Sequence, residues 1–247
     1  MNTILRLLSV SEWLIVSVML NGMLFFFSIG LYVLLDKKHT RTMQRQKHPI
    51  VRTDVYLSIC TVICNIMVML IGVFLWKKEV VAIADHSSGA AVALQVILLI
   101  ILMDLLMYLF HRLAHIPAVY TFLHKRHHEH VSTNCLSLFV LHPLEALGFG
   151  FILIIVLMLY AFSPVAVGIY LFINLVWGTL GHLNREVFPE GTEQWLIGTT
   201  AFHNQHHLHE DKNFGFYTSI WDKIFRTWKA GEKGKEACVM NDSTKEG

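Results

Sequence analysis

Five stretches of this chain are too apolar and too long for anything but helices that satisfy their own backbone. The first runs from Trp13 to Leu35 and the second from Val55 to Trp76, both without a charged residue. The third, Ala90 to Phe110, is broken only by Gln95 and Asp104. The fourth and fifth, Leu144 to Phe162 and Val165 to Leu180, are separated by Ser163 and Pro164, which predicts a tight helical hairpin. The longer runs suffice to cross a hydrocarbon core of about 30 Å. The first run lacks a short apolar core with a cleavage site and reads as a retained anchor. The expected class is therefore an all-α integral membrane bundle with four to five membrane segments. Residues 1–89 would form the anchor helices, 90–230 a catalytic domain and 231–247 a polar flexible tail. Composition agrees: 54% of residues are hydrophobic and 15% charged, against roughly 45–50% and about 25% in soluble domains. A net charge of +2 gives no reason to expect a nucleic-acid partner.

Basic residues orient the spans. The segment 36–54 carries Lys37, Lys38, Arg41, Arg45, Lys47 and Arg52, whereas 77–89 carries only Lys77 and Lys78. The positive-inside rule puts 36–54 in the cytoplasm. Counting crossings, 111–143 and the chain from Gly181 onward lie on that same side.

Histidine is the outlier. Of fifteen, twelve fall between His111 and His209. Three clusters stand out: His111-Arg-Leu-Ala-His115, His124-Lys-Arg-His127-His128 and His203-Asn-Gln-His206-His207. On a helix, positions i, i+3 and i+4 share a face, so each cluster aims its imidazoles in one direction. Neutral imidazole is a good ligand for iron and zinc, and with an unperturbed pKa near 6.5 it is mostly neutral at cytoplasmic pH. His142 before the fourth run and His182 after the fifth bring the set to ten, which suits two metals. His142 has three open readings: a ligand, a hydrogen-bond partner of a ligand, or a helix-start residue. His130 and His209 lie off the pattern and read as solvated or supporting residues. His39, His48 and His86 read as surface histidines.

Asp104 is an acid well inside a span, and such residues are costly there and mark function. It precedes His111 by seven residues and is expected to accept the second N–H of a metal-bound histidine. Near the end of the chain, Tyr217, Ile220, Trp221, Ile224, Phe225 and Trp228 recur at helical spacing and predict an amphipathic helix in the membrane interface. Cys60, Cys64, Cys135 and Cys238 form no CxxC pair and read as small buried hydrophobes rather than a disulfide framework.

HRLAH at 111–115, HKRHH at 124–128, HPLE at 142–145, GHLN at 181–184, HNQHH at 203–207 and NFGFYTSIWDKIFRTW at 213–228 resemble, in order, the fatty acid hydroxylase / sterol desaturase superfamily of membrane di-iron enzymes. HPLE and the final stretch look most like the sterol desaturase branch. The resemblance covers about Asp104 to Trp228. It implies a helical fold with a cytoplasmic cap and two irons, with His111, His115, His124, His127, His128, His182, His203, His206 and His207 as ligands. Glu145 and Asn184, in HPLE and GHLN, would support them. Some relatives carry a further histidine shortly after the counterpart of His182. Here Asn184, Arg185 and Glu186 follow, leaving His142, Asn184 or water to complete one metal. Zinc would stand in for iron in purified protein.

The resemblance further implies O2 activation and oxidation of an unactivated C–H bond in a fatty acyl or sterol-like lipid. Hydroxylation is the reading taken here, with desaturation on the same centre as the close alternative. The chain has no dinucleotide fingerprint, no CxxC arrangement and no HPGG signature of a fused cytochrome. Electrons are therefore expected from a separate protein, a b-type cytochrome or a ferredoxin with its reductase. The basic segment 36–54 could receive an acidic donor, although a membrane surface explains the same charges. A non-catalytic metal-binding membrane protein would want polar residues through several spans. A metalloprotease would want HExxH, which HHEH at 127–130 is not.

Overall fold

The computed structural model describes residues 2–44, 46–85 and 87–230. Ten α-helices form there: α1 Asn2–Leu7, α2 Val10–Lys38, α3 Arg52–Lys77, α4 Gly89–Ala114, α5 Pro117–Leu123, α6 Lys125–His128, α7 Pro143–Leu159, α8 Pro164–Gly181, α9 Thr200–Leu208 and α10 Ile220–Ile224. Among the described residues there are only isolated β-bridges and no strand. Helices α2, α3, α4 and α8 are long and apolar enough to cross a membrane. Helix α7 has 17 residues, about 25 Å of rise, and is the short member of the set. The polar tail 231–247, Cys238 and His86 lie outside the described residues.

The starts of these helices are written locally. Ser9 and Glu12 form a reciprocal capping box on α2, the Ser9 N–H donating to Glu12 Oε2 at 2.7 Å. Ser88 caps α4. Ser163 caps α8 with Pro164 at its first position, where a missing N–H costs nothing. The long helices close a ring: α2 packs on α3 and α8, α3 on α7, and α4 on both α7 and α8. The core lies along α4, where Leu99, Met103 and Met107 meet Val156 of α7 and Tyr170 of α8. A few polar pairs fix the register, including Ser28 Oγ with Thr179 Oγ1 at 2.8 Å and Thr61 Oγ1 donating to Phe139 O at 2.8 Å.

The predicted α7–α8 hairpin does not form, because α4 sits between the two helices and touches both. The link is held extended instead. Tyr160 has φ −153°, Ala84 N donates to Phe162 O at 3.1 Å, and Ser163 N donates to Gln95 Oε1 of α4 at 2.7 Å. The predicted interfacial helix is also reduced to the five residues of α10. Tyr217 is 4% exposed, while Ile224 at 60% keeps the outward half of the stripe.

The segment 36–54 straps across the histidine end of the bundle. Met43 N donates to Asn184 O and Glu186 N to Arg41 O. Asp36 takes Arg185 Nε at 3.2 Å and also pairs with Lys47. The basic segment and the histidine clusters thus share one end of the molecule.

Candidate metal centre

Four chain segments deliver the imidazoles. The last turn of α4 carries His111 and ends on His115. His124 joins α5 to α6, which carries His127 and His128. His182 ends α8. Helix α9, capped by the Thr199 side chain on Phe202 N at 3.1 Å, carries His203, His206 and His207.

These nine histidines gather into two groups, each with its ligand nitrogens within 4.8 Å of one another: His111, His115, His124, His128 and His206, and His127, His182, His203 and His207. The clusters do not each serve one site, as shared faces suggested. From HKRHH, His124 and His128 enter the first group and His127 the second; from HNQHH, His203 and His207 enter the second and His206 the first. Positions i and i+4 lie about 40° apart on a helix and i+3 falls to the other side, so each short helix feeds both groups. The groups adjoin: the His128 and His207 rings stack with centroids 4.7 Å apart.

The hydrogen bonds decide what the groups can hold. A carbonyl oxygen can only accept, so a ring nitrogen facing one carries the proton. His111 Nδ1 donates to Phe214 O at 2.9 Å, His127 Nδ1 to Val140 O at 3.3 Å, His182 Nδ1 to Gly178 O at 2.8 Å and His206 Nδ1 to Lys212 O at 2.6 Å. His124 Nδ1 donates to the Glu145 carboxylate at 2.6 Å. The Nε2 atoms of these neutral rings are then bare lone pairs. Yet His111 Nε2 lies 3.0 Å from His124 Nε2, and His127 Nε2 lies 3.1 Å from His182 Nε2. Two lone pairs at that distance repel unless a cation sits with them. The spacing is that of neighbouring nitrogens on one metal, about 3 Å for metal–N bonds of about 2.1 Å. His115 Nε2, both nitrogens of His128, His206 Nε2 and His207 Nδ1 are buried without a partner, a costly state for groups with nothing to bind.

Protons do not fill the role. Burial, and then repulsion between neighbouring imidazolium charges, pushes His115 down to about 2 and His128 to about 3. Burial holds His182 at about 4. The same causes put His124, His127, His203, His206 and His207 well below the ordinary imidazole value. A buried set of neutral, inward-facing lone pairs fits divalent metal.

Four expectations are corrected. His142 joins neither group; its Nδ1 accepts from Leu144 N at 3.3 Å and caps α7. Asp104, 2% exposed, reaches no histidine. It accepts from Tyr217 N at 2.8 Å, Thr218 Oγ1 at 2.5 Å and Trp221 Nε1 at 3.1 Å, tying the 213–228 segment to α4. Asn184 pins the strap instead, its Oδ1 accepting from Gln44 N and its Nδ2 donating to Gln44 O, each at 3.0 Å. His130 is fully buried rather than solvated, between Ser137 Oγ at 2.8 Å and Asp54 Oδ1 at 3.3 Å, and His48 stacks on it with centroids 4.0 Å apart. Asp54 also takes Arg126 at 2.7 Å, so this knot ties the start of α3 to the HKRHH segment.

The segment 212–228 is the part that the histidine pattern did not assign. Buried Asp222 accepts from Phe214 N and Gly215 N, each at 2.8 Å, and from Thr227 Oγ1 at 2.7 Å. Gly215 is required, because a Cβ would lie 2.2 Å from Thr218 O. The knot aims Phe214 O at His111, and the NFG…WD spacing was its signal.

A membrane bundle ending in two adjacent polyhistidine groups is the class of molecule defined by this geometry. Residues 96–227 match the family model described as fatty acid hydroxylase, and the chain belongs to that family. It is 30% identical over 132 residues to the Delta(7)-sterol 5(6)-desaturase of Leptosphaeria maculans, covering 53% of this chain and 36% of that protein. To the lathosterol oxidase of Mus musculus it is 28% identical over 174 residues, covering 66% of this chain and 56% of that protein. The matches thus span about a third to just over half the length of these relatives, and they favour the sterol desaturase branch. No solved structure matches.

Proposed function

We propose that the protein is a membrane oxidoreductase that uses O2 and external electrons to oxidise an unactivated C–H bond of a lipid. The observation that carries this reading is the pair of adjacent histidine groups with unprotonated Nε2 atoms facing inward at 3.0–3.1 Å. His111, His115, His124, His128 and His206 would hold one iron, and His127, His182, His203 and His207 the other; zinc would occupy the same imidazoles. Bound there, two irons would supply the activation of O2 and the oxidising power for C–H cleavage.

The chain's own residues prepare the site. Glu145 and four backbone carbonyls fix the tautomers of His111, His124, His127, His182 and His206, which orients these five imidazoles and raises their basicity. Burial keeps the rings neutral and ready to bind. Exposed Leu109 and Leu113, in the last turns of α4, bring an apolar surface to the same end. The basic strap 36–54 shares this end, which supports a cytoplasmic centre under the positive-inside rule. Two electrons would come from a separate donor, a b-type cytochrome or a ferredoxin with its reductase.

The names of the relatives support removal of two hydrogens from a sterol-like lipid; the family description supports hydroxylation of an acyl chain on the same centre. Lipid mass spectrometry of cells with and without the protein separates them. Product lighter by two hydrogens supports desaturation, and product heavier by one oxygen supports hydroxylation. A lipid profile unchanged by the protein, with iron and a reductase system supplied, rejects both.

A further inference from the structure

The chain after α8 follows the last span, yet part of it lies beside the spans and not beyond them. Depth can be read along the helices. Helix α8 has 18 residues, about 27 Å of rise, so it can cross a core of about 30 Å only with its whole length in the membrane. Its histidine end is His182, and Asn174 precedes that residue by about 12 Å of rise. On α4, Asp104 precedes His111 by about 10 Å. Tyr217 is held at both places. Its N donates to Asp104 Oδ1 at 2.8 Å and its hydroxyl to Asn174 Oδ1 at 2.6 Å. The two spans thus assign it the same depth. Trp221 reaches that level too, its Nε1 donating to Asp104 Oδ2 at 3.1 Å. Phe225 lies nearer the histidine end, stacked on Tyr108 with centroids 5.4 Å apart.

The chain at this depth is mostly irregular, which a bilayer tolerates only where protein satisfies the backbone. Here it does. Asp104 accepts from Tyr217 N and Thr218 N, and Asp222 from Phe214 N and Gly215 N. Phe216 O accepts from Trp177 Nε1 at 3.0 Å, and Tyr217 O from Gly198 N at 2.9 Å. Ser219 N donates to Leu196 O at 2.9 Å, and Ile197 bridges Thr218, which brings 195–197 alongside. The outer side is apolar. Trp195 is 73% exposed, Ile220 37% and Ile224 60%. The nearby cations lie over rings, Lys223 over Trp228 at 5.1 Å and Arg112 over Phe225 at 5.9 Å, as long basic side chains do at a membrane boundary.

We infer that residues 213–228, with 195–197 beside them, form a re-entrant segment that enters the leaflet on the histidine side to about the depth of Asp104. Trp195, Ile220 and Ile224 then lie against lipid acyl chains, and the partner of this surface is the bilayer. The inference rests on α4 and α8 crossing a membrane and not on any metal or reaction. It gives the acid inside α4 a task, to satisfy irregular backbone where water is absent. The segment that enters the leaflet is also the one that fixes His111 through Phe214 O.

The test uses full-length protein in phosphatidylcholine nanodiscs, whose two faces are both open to reagents. Ile224→Cys and Asp211→Cys are treated with a charged maleimide, and the labelling of the parent's own cysteines is subtracted. The Asp211 side chain is 78% exposed just ahead of the segment, so Asp211→Cys should label as a free thiol does. Ile224→Cys should label more slowly by about tenfold or more, because a charged reagent is costly to bring into hydrocarbon. Equal rates overturn the insertion. A second copy of the chain would also protect this position, so lipid contact is read separately. Trp195 fluorescence, taken as parent minus Trp195→Phe, should fall in nanodiscs of acyl-brominated phosphatidylcholine. An unquenched Trp195 overturns the proposal, whether Ile224→Cys is protected or fails to insert.

Discussion

Replacing Asp104 tests how a charge inside a membrane helix serves a site it does not touch. Its two oxygens accept from Tyr217 N, Thr218 Oγ1 and Trp221 Nε1, with Thr218 N a longer fourth at 3.3 Å. Asp104→Asn keeps an acceptor for the backbone N–H groups but turns an NH2 toward the Trp221 indole N–H. One charge-assisted bond is lost, worth about 1.5–3 kcal/mol. Asp104→Leu leaves two buried backbone N–H groups and an indole N–H without acceptors, at about 1–3 kcal/mol each. The expected loss is therefore about 3–9 kcal/mol, offset in part by the apolar side chain. It falls on the 213–228 segment, which then no longer holds Phe214 O against His111. The assay is thermal unfolding and limited proteolysis in detergent, with bound iron measured on the same samples. The expected order is parent, then Asn, then Leu in melting temperature and iron, with new cleavage in 209–220 for Leu. A Leu variant with parental melting, cleavage and iron would refute the reasoning.

Three further outcomes follow from the same geometry. His207→Ala should bind one iron fewer and lose turnover, whereas His142→Ala should keep both irons and cost only the α7 cap, about 0.5–2 kcal/mol; elemental analysis with thermal melts checks both. Glu145→Gln should weaken metal retention about 10–100-fold, because an amide polarises the His124 ring less than a carboxylate; competition with a chelator reads it. Metal-free protein should lose stability as pH falls through about 6.5, the unfolded value. His115, His128 and His182 stay neutral when folded down to about 2, 3 and 4, so the unfolded chain binds the extra protons and stability rises with pH. A melting temperature flat from pH 8 to pH 5 would contradict this.

Much of the centre was legible because metal ligation needs side chains at fixed spacings, and those are written in the sequence. HxxxH and HxxHH announced eight of the nine gathered histidines, and the end of an apolar run located His182. What failed were inferences from angle alone. Asp104 shares a helical face with His111, yet seven residues are about 10 Å of rise, too far for contact. His142 precedes Pro143, and a side chain there meets the free N–H groups of the helix start. The ring Asp54–His130–Ser137 joins residues up to 83 positions apart, and no local pattern reports such a pairing.

The least legible part is also the one that makes the site work. Nine neutral imidazoles must present lone pairs inward, and five of them have an acceptor for the N–H on the far side. Only His124 takes one from a side chain, Glu145. The other fixed rings use backbone carbonyls, and their source is mechanical. His182 sits one turn past Gly178, whose carbonyl, at the end of α8, accepts both the His182 N–H at 3.2 Å and its Nδ1 at 2.8 Å. Val140, Lys212 and Phe214 supply theirs from irregular chain. Helix ends and loops are where carbonyls go unused, so a centre of this kind belongs at the end of a bundle and not within its spans. Tautomer control is thereby a property of the fold. Substitutions that move the 212–228 knot should disturb metal binding as surely as loss of a ligand, although no residue in it belongs to either histidine group.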